Sequence, residues 1–179
     1  TATRHHSQVA MNTVAQANSD IIKEEEYVAT LDGRTTLECA SRDGNRYEVG
    51  KGPQVPAHHG CRSVRVPVPK TFDELFGRIG EDKPLASRRF VADTRRVKDI
   101  PKSVRDQLTG RTTKTYNQWL KTQNKGFVED VLGKQKAKLY LDGDLSIDKF
   151  VDRQGSEYTL EQLAKREAQA FEKAGLEAA

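Results

Sequence analysis

A glycine- and proline-rich stretch at residues 50–60 most constrains how this chain of 179 residues can fold. It reads Gly-Lys-Gly-Pro-Gln-Val-Pro-Ala-His-His-Gly, with three glycines and two prolines in eleven residues. Proline lacks an amide hydrogen and glycine loses much conformational entropy on ordering, so neither a helix nor a strand is expected there. The first part of the chain must therefore consist of short elements on either side of a long loop.

Short elements with different hydrophobic periodicities flank this loop. Residues 3–26 contain no glycine or proline, and their apolar side chains recur at three- and four-residue spacings, which predicts one amphipathic helix. Alternating apolar residues at 27–31, 46–49 and 61–68 predict short strands. For residues 1–69 we therefore predict a helix and a small antiparallel sheet with a long Pro/Gly loop.

Charge is distributed unevenly along the chain. Residues 70–125 have 14 basic and 7 acidic side chains, whereas residues 126–179 have 8 basic and 11 acidic ones. Glycine and proline interrupt the first part of the basic region, which predicts an extended basic linker or arm over residues 70–112. Basic side chains there could contact nucleic acid or an acidic protein surface, or could simply solvate helices. The candidates for such contacts are Arg88, Arg89, Arg95, Arg96, Lys98 and Lys102.

The remaining residues, 113–179, are predicted to be helical. Thr159 is followed three residues later by Gln162, the capping-box pattern that begins helices, and Thr71 with Glu74 has the same form. The fold class predicted for the whole chain is α+β, with an N-terminal module, a basic linker and a helical C-terminal region.

The low apolar content bears on partners and location. Only 35% of the residues are hydrophobic and 31% are charged, so we expect part of the surface to be buried on a partner. No apolar run approaches the roughly 20 residues of a membrane span, so a membrane protein is not expected. The first residue is Thr1, from which we expect a fragment of a longer chain or a processed product.

Both cysteines lie in the predicted N-terminal module, close to histidines. Cys39, His58 and Cys61 form the spacing Cys-x18-His-x2-Cys. Thiolate and imidazole are ligands that Zn²⁺ prefers, which makes zinc the candidate cofactor. A structural zinc ion takes four ligands, and His5 is the candidate for the fourth, with a water molecule or Asp43 as alternatives.

Simpler interpretations of these residues remain open. Cys39 and Cys61 could form a disulfide in an oxidising compartment. Cys39 could instead be a small buried apolar residue, and His58 and His59 could be exposed loop residues.

A catalytic interpretation is the weakest of the alternatives. Cys39 with His58 or His59 could form a thiolate–imidazole pair, oriented by Asp32 or Asp43, as in a Cys-His hydrolase. No known nucleophile signature surrounds either cysteine and no phosphate-binding glycine loop is present, so the protein is predicted not to be an enzyme.

Several motifs occur in the same order as in a known family. They are Thr30-Leu31-Asp32-Gly33-Arg34-Thr35-Thr36-Leu37-Glu38-Cys39, Arg42-Asp43-Gly44 and Pro56-Ala57-His58-His59-Gly60-Cys61-Arg62-Ser63. Together they resemble the phage Mu F-like minor capsid family, also called the phage head morphogenesis family. The segment from Tyr116 to Leu163 resembles a companion region of the same phage proteins, so the resemblance covers nearly the whole chain.

This resemblance implies a structural protein of a tailed-phage head. The expected location is the portal vertex or the capsid interior of the virion, and the host cytoplasm during assembly. The expected partners are the portal protein and the major capsid protein, and packaged DNA is a further candidate partner. Multiple copies of the chain are expected in each virion. The implied role is assistance in head assembly and in DNA packaging or ejection. A DNA-binding, zinc-stabilised packaging module is the alternative.

The resemblance also bears on individual residues. Many members have Cys-x2-Cys where this chain has Thr36 and Cys39, and Cys-x-Cys where it has Cys61 and Ser63. This chain therefore keeps half of a four-cysteine pattern that suggests a metal site or disulfides. The shared turn residues are implied to be scaffold rather than substrate-binding residues, and they are Asp32, Arg34, Asp43 and Gly44.

Overall fold

A computed structural model describes residues 2–70, 75 and 87–176 of the chain. Its N-terminal helix, small antiparallel sheet and several C-terminal helices confirm the predicted α+β class. The predicted capping box at Thr71 lies outside the described residues. Among the helices of the described ranges, none is long and apolar enough to cross a bilayer.

The elements are short and follow one another closely. The helices are α1 (Ala2–Ala17), α2 (Leu37–Arg42), α3 (Lys102–Leu108), α4 (Tyr116–Leu120), α5 (Lys125–Leu132), α6 (Lys134–Leu141), α7 (Leu160–Arg166) and α8 (Ala168–Lys173). The strands are β1 (Ile22–Val28), β2 (Leu31–Asp32), β3 (Arg46–Glu48), β4 (Val64–Pro69), β5 (Arg88–Val91) and β6 (Thr109–Thr112). Turns of 3₁₀ helix cover Val97–Asp99 and Ile147–Phe150. Helices α2 to α8 are too short to be stable alone, so tertiary packing must hold them.

The chain divides into two units that are discontinuous in sequence. The first unit consists of Thr1–Thr30 and Arg42–Ala86, and the second of Leu31–Ser41 and Ser87–Ala179. The sequence predicts boundaries after residues 69 and 112 instead. The difference arises because Leu31 and Leu37 are buried in the hydrophobic core of the C-terminal helices.

The first helix is shorter than predicted. Helix α1 ends at Ala17 and β1 begins at Ile22, so the prediction of a helix over residues 3–26 is wrong for its last part. Three consecutive glutamates, Glu24 to Glu26, hide the strand in the sequence because glutamate is a good helix former and a poor strand former.

Strand β1 is the centre of the sheet in the first unit. It pairs antiparallel with β3 on one side and with β4 on the other. The connection from β3 to β4 contains the Gly/Pro-rich stretch and forms neither helix nor strand, as predicted. Val55 in this loop is buried, so the loop contributes to the core of the unit.

A buried ion pair lies on one face of this sheet. Glu25 Oε2 is 3.0 Å from Arg65 Nη2, and the two side chains are 0% and 1% exposed. The Gly50 amide donates to the same carboxylate oxygen at 2.9 Å, and the Arg65 guanidinium lies 5.5 Å from the centre of the Tyr47 ring. Their pairing therefore offsets part of the cost of burying both charges, while Nε and Nη2 of Arg65 form no hydrogen bond within the described residues.

Gln8 joins α1 to the same part of the sheet. Strand β4 is at the sheet edge, and its Arg65 amide donates to Gln8 Oε1 at 3.0 Å while Gln8 Nε2 lies 3.3 Å from the Arg65 carbonyl oxygen. The side-chain amide thus occupies the hydrogen-bonding positions that a neighbouring strand would use. This contact explains why a polar residue is buried on α1.

The second unit contains a sheet in the order β2-β5-β6. Strand β2 runs parallel to β5, with Leu31 beside Phe90, and β5 runs antiparallel to β6. The predicted basic linker over residues 70–112 therefore contains regular structure from Arg88 onwards. Phe90 packs against the helical core, but the adjacent arginines obscure its strand pattern in the sequence.

Aromatic rings dominate the core of the second unit. The Trp119 ring contacts the rings of Tyr116 and Phe127 at centroid distances of 5.3 and 5.7 Å in edge-to-face orientation. The Tyr116 hydroxyl donates to the carbonyl oxygen of Asp32 at 2.9 Å, which ties α4 to β2.

Reciprocal capping boxes mark where two of the short helices begin. The capping box of Thr159 and Gln162 is confirmed at the start of α7. Thr115 and Gln118 form the same reciprocal arrangement at the start of α4. In each helix the cap satisfies amides that have no partner inside the helix.

Replacing Gly110 by alanine should destabilise the second unit. An added Cβ would lie 2.8 Å from two ring atoms of Phe90, and that ring is held beside Trp119 at a centroid distance of 6.0 Å. We expect Gly110→Ala to lower the free energy of unfolding by about 1–3 kcal/mol, as measured by urea denaturation. Gly126→Ala is the matched control, because a Cβ in that exposed first turn of α5 meets only Asn124 Oδ1 at 3.4 Å. Equal stability of Gly110→Ala and the wild type would contradict the prediction.

Candidate metal centre

Cys39 is held in the first turn of α2. The Thr36 hydroxyl oxygen accepts the Cys39 amide at 3.4 Å, and the Thr36 carbonyl oxygen accepts the Ala40 amide at 2.9 Å. Thr36 therefore caps the helix and fixes the backbone that carries Cys39. The Cys39 side chain is buried.

The other two candidate ligands lie in a tight turn at the end of the Gly/Pro-rich loop. The Cys61 amide donates to the carbonyl oxygen of His58 at 3.1 Å, which closes the turn. His58 Nδ1 is 2.9 Å from the carbonyl oxygen of His59. A carbonyl oxygen can only accept, so this contact requires the proton on Nδ1 and places the lone pair of the neutral ring on Nε2.

The structure brings Cys39, His58 and Cys61 together as a group that could hold a metal ion. Their ligand atoms all lie within 4.8 Å of one another. These three residues are the ones in the predicted spacing Cys-x18-His-x2-Cys.

The predicted fourth ligand is not part of this group. His5 is exposed on α1, and it is absent from the cluster formed by the three other residues. Asp43, the alternative, is also absent from the cluster, and its Oδ1 accepts the Ala29 amide at 2.6 Å. The sulfur atoms of Cys39 and Cys61 are not joined by a disulfide bond in the structure, so the interpretation as a disulfide does not describe it.

The turn residues of the sequence motifs form hydrogen bonds with the backbone. Asp32 Oδ1 accepts the amide of Arg34 at 3.0 Å and lies 3.3 Å from the Thr35 hydroxyl. Gly44 has a φ of 84°, a conformation that favours glycine, and its amide donates to the Tyr27 carbonyl oxygen at 2.8 Å. Together with the Asp43–Ala29 hydrogen bond, these contacts are typical of residues that shape turns.

The predicted basic contact residues differ in their surroundings and fall into three classes. Arg95 forms a two-pronged contact with Asp93, with Nη2 at 2.6 Å from Oδ2, and Arg96 Nε lies 2.7 Å from Asp99 Oδ2. These two arginines are therefore already paired with carboxylates. Arg89 is exposed on β5, and Lys98 and Lys102 are also exposed.

Arg88 has a different role from its neighbour in sequence. Its Nη2 donates to the carbonyl oxygen of Lys114 at 3.0 Å, so the side chain braces the end of β6. Sequence reasoning missed Arg111, which lies directly opposite Arg89 in the pairing of β5 with β6. The only signal for it is the pattern Thr-Gly-Arg-Thr, which is too short to predict a strand.

Comparison with known proteins adds no relative to this description. No family model, no curated protein and no solved structure matches the chain. The resemblance to the Mu F-like family therefore stays a prediction from the motifs.

The Asp93–Arg95 contact should make stability depend on pH. The hydrogen bond from the Arg95 side chain lowers the pKa of the Asp93 carboxyl. The contribution of the pair is therefore complete above the unfolded pKa of about 3.9 and is lost as the pH falls through the lower folded pKa. We expect Asp93→Asn to be less stable than the wild type at pH 7, and the difference to shrink below pH 4.

Urea denaturation at a series of pH values measures this difference. The Arg95→Ala variant serves as control, because it should remove the side-chain part of the pH dependence and keep the part due to the backbone amide of residue 95, which donates to Asp93 Oδ1 at 2.7 Å. A stability difference between Asp93→Asn and the wild type that stays constant down to the acid limit of folding would contradict the assignment.

Proposed function

We propose that this chain is a structural protein of a tailed-phage head whose N-terminal motif residues hold a zinc ion. The zinc site is proposed because the ligand atoms of Cys39, His58 and Cys61 all lie within 4.8 Å of one another. The mixture of two sulfur ligands and one imidazole nitrogen favours zinc over Mg²⁺ or Ca²⁺, which take oxygen ligands. A water molecule or a ligand from a partner completes the coordination of the ion.

Burial of the cysteines favours a structural use of the metal over a catalytic use of the thiols. Cys39 and Cys61 are each only 2% exposed. A nucleophilic sulfur must reach a substrate, whereas a zinc ligand needs only to face the ion. Asp32 and Asp43, which a hydrolase would use to orient the imidazole, accept backbone amides instead.

The phage-head assignment rests on the motif series and on what its residues do. In the family resemblance, Asp32, Arg34, Asp43 and Gly44 are scaffold residues, and the hydrogen bonds of Asp32, Asp43 and Gly44 agree with that role. The exposed apolar side chains Val9 and Val14 on α1 are 48% and 57% exposed. They fit a protein that buries part of its surface on neighbouring subunits, for which the portal protein and the major capsid protein are the proposed partners.

Metal analysis of protein purified without chelator tests the zinc site. We expect about one zinc ion per chain by mass spectrometry of the metal, because three donors converge on one position. His58→Ala and Cys61→Ser should each lose the metal and unfold at a lower temperature. His59→Ala is the matched control: its side chain is exposed and outside the donor group, and its backbone carbonyl is retained. Wild-type protein without zinc, or full occupancy in His58→Ala, would contradict the site.

Isolation of the chain from assembling particles tests the phage-head role. An affinity tag on the chain should recover the portal protein, and the major capsid protein in smaller amount, in a ratio showing several copies of the chain per particle. The same tag on the phage tail-tube protein is the control for carry-over of whole particles. Recovery of the chain from infected cells without any head protein would refute this role while leaving the zinc result untouched.

A further inference from the structure

Two arginines face each other across the pairing of β5 with β6. Arg89 on β5 and Arg111 on β6 are register partners, and both side chains are exposed. Phe90 and Gly110, the next register partners, belong to the opposite alternation of the strands, and Phe90 packs against the core. Like charges directly opposite each other destabilise a sheet. A strand pair with two arginines opposite each other on its exposed face is suited to bind an anion, because the anion would reduce the repulsion between the two positive charges.

Among the residues that the structure describes, the acidic side chains near this face pair with other arginines. Residues 87–114 contain nine basic and three acidic side chains. Two of the acidic side chains, Asp93 and Asp99, pair with Arg95 and Arg96. Across the described part of the chain, no carboxylate forms an ion pair with Arg89 or Arg111.

The guanidinium group of Arg111 is held in position by neighbouring groups. Its Nη2 donates to the carbonyl oxygen of Ser87 at 2.6 Å and its Nε to the Ser87 hydroxyl at 3.2 Å. These contacts use neutral acceptors, so the positive charge of the arginine is retained. A fixed guanidinium loses less conformational entropy on binding than a mobile one, which favours binding of an anion.

We propose that the exposed face of β5 and β6 binds the phosphodiester backbone of a nucleic acid through Arg89 and Arg111. Phosphate matches the planar donor pattern of guanidinium, and adjacent phosphates along a strand can contact adjacent arginines. Recognition of this kind is independent of base sequence. The exposed Lys114, immediately after β6, adds to the positive charge at this end of the sheet. This surface does not require the metal centre or the phage-head role.

Binding of a fluorescein-labelled duplex of random sequence, measured by anisotropy on the full chain, tests this proposal. The salt dependence of the binding constant between about 50 and 200 mM NaCl reports the number of phosphate contacts. In the Arg89→Ala/Arg111→Ala variant we expect at least tenfold weaker binding and a salt slope that is smaller by about two. Circular dichroism of each variant excludes unfolding as the cause.

The Arg95→Ala/Arg96→Ala variant is the matched control for net charge. It removes the same number of positive charges from the same region, but from arginines that already pair with Asp93 and Asp99. We expect its affinity and salt slope to stay close to those of the wild type. Equal losses in the two double variants would show that only net charge matters and would overturn the site.

Polyglutamate in place of the duplex separates the two kinds of acidic partner. We expect the protein to stay bound to the duplex when polyglutamate is added in large excess, with the excess counted in glutamate residues. Tighter binding of polyglutamate, lost with Arg89 and Arg111, would assign the face to an acidic protein surface and overturn the nucleic-acid assignment. Absence of duplex binding by the wild type at low salt would overturn it as well.

Discussion

The buried ion pair between Glu25 and Arg65 is the interaction on which the architecture of the first unit depends. Removal of one partner from such a pair typically costs about 3–5 kcal/mol, because the remaining charge stays buried without compensation. The Gly50 amide contacts the Glu25 carboxylate and the Tyr47 ring contacts the Arg65 guanidinium, whereas the Gln8 side chain bonds the main chain of Arg65. These polar contacts join the loop after β3, through Gly50, and the helix α1, through Gln8, to the sheet.

The same pair explains where sequence reasoning fails in this unit. The three glutamates of β1 are exposed if the segment is a helix, and only the register with β4 reveals that Glu25 has a cationic partner. That information is long-range, and no local pattern contains it. The Gly/Pro-rich loop was predictable because proline and glycine act through local backbone geometry. The grouping of Cys39, His58 and Cys61 followed from spacing, whereas the exposure of His5 depends on how α1 packs.

In the second unit, the many basic residues likewise made strand β5 hard to predict from the sequence. The arginines at 88, 89, 95 and 96 suggest an extended arm, yet Phe90 and Ile100 are packed or buried among them. A count of basic residues could not separate the arginines paired with Asp93 and Asp99 from those that face solvent on β5 and β6. Asp93 and Asp99 lie within three residues of their arginines, so these ion pairs could be predicted from the local sequence. The position of Arg89 opposite Arg111 could not, because it depends on the pairing of two strands that a helix separates in sequence.

The order of segments along the chain has a consequence for dissecting the protein. The second unit takes its strand β2 and helix α2 from Leu31–Ser41, a stretch with residues of the first unit on both sides. A fragment that starts at Ser87 would lack β2, the parallel neighbour of β5. It would also lack the Asp32 carbonyl oxygen that accepts the hydrogen bond of the Tyr116 hydroxyl. A fragment that ends before Ser87 would carry Leu31 and Leu37 without the core that buries them. No single cut in the polypeptide yields an intact unit, so neither unit can be produced on its own as one continuous fragment.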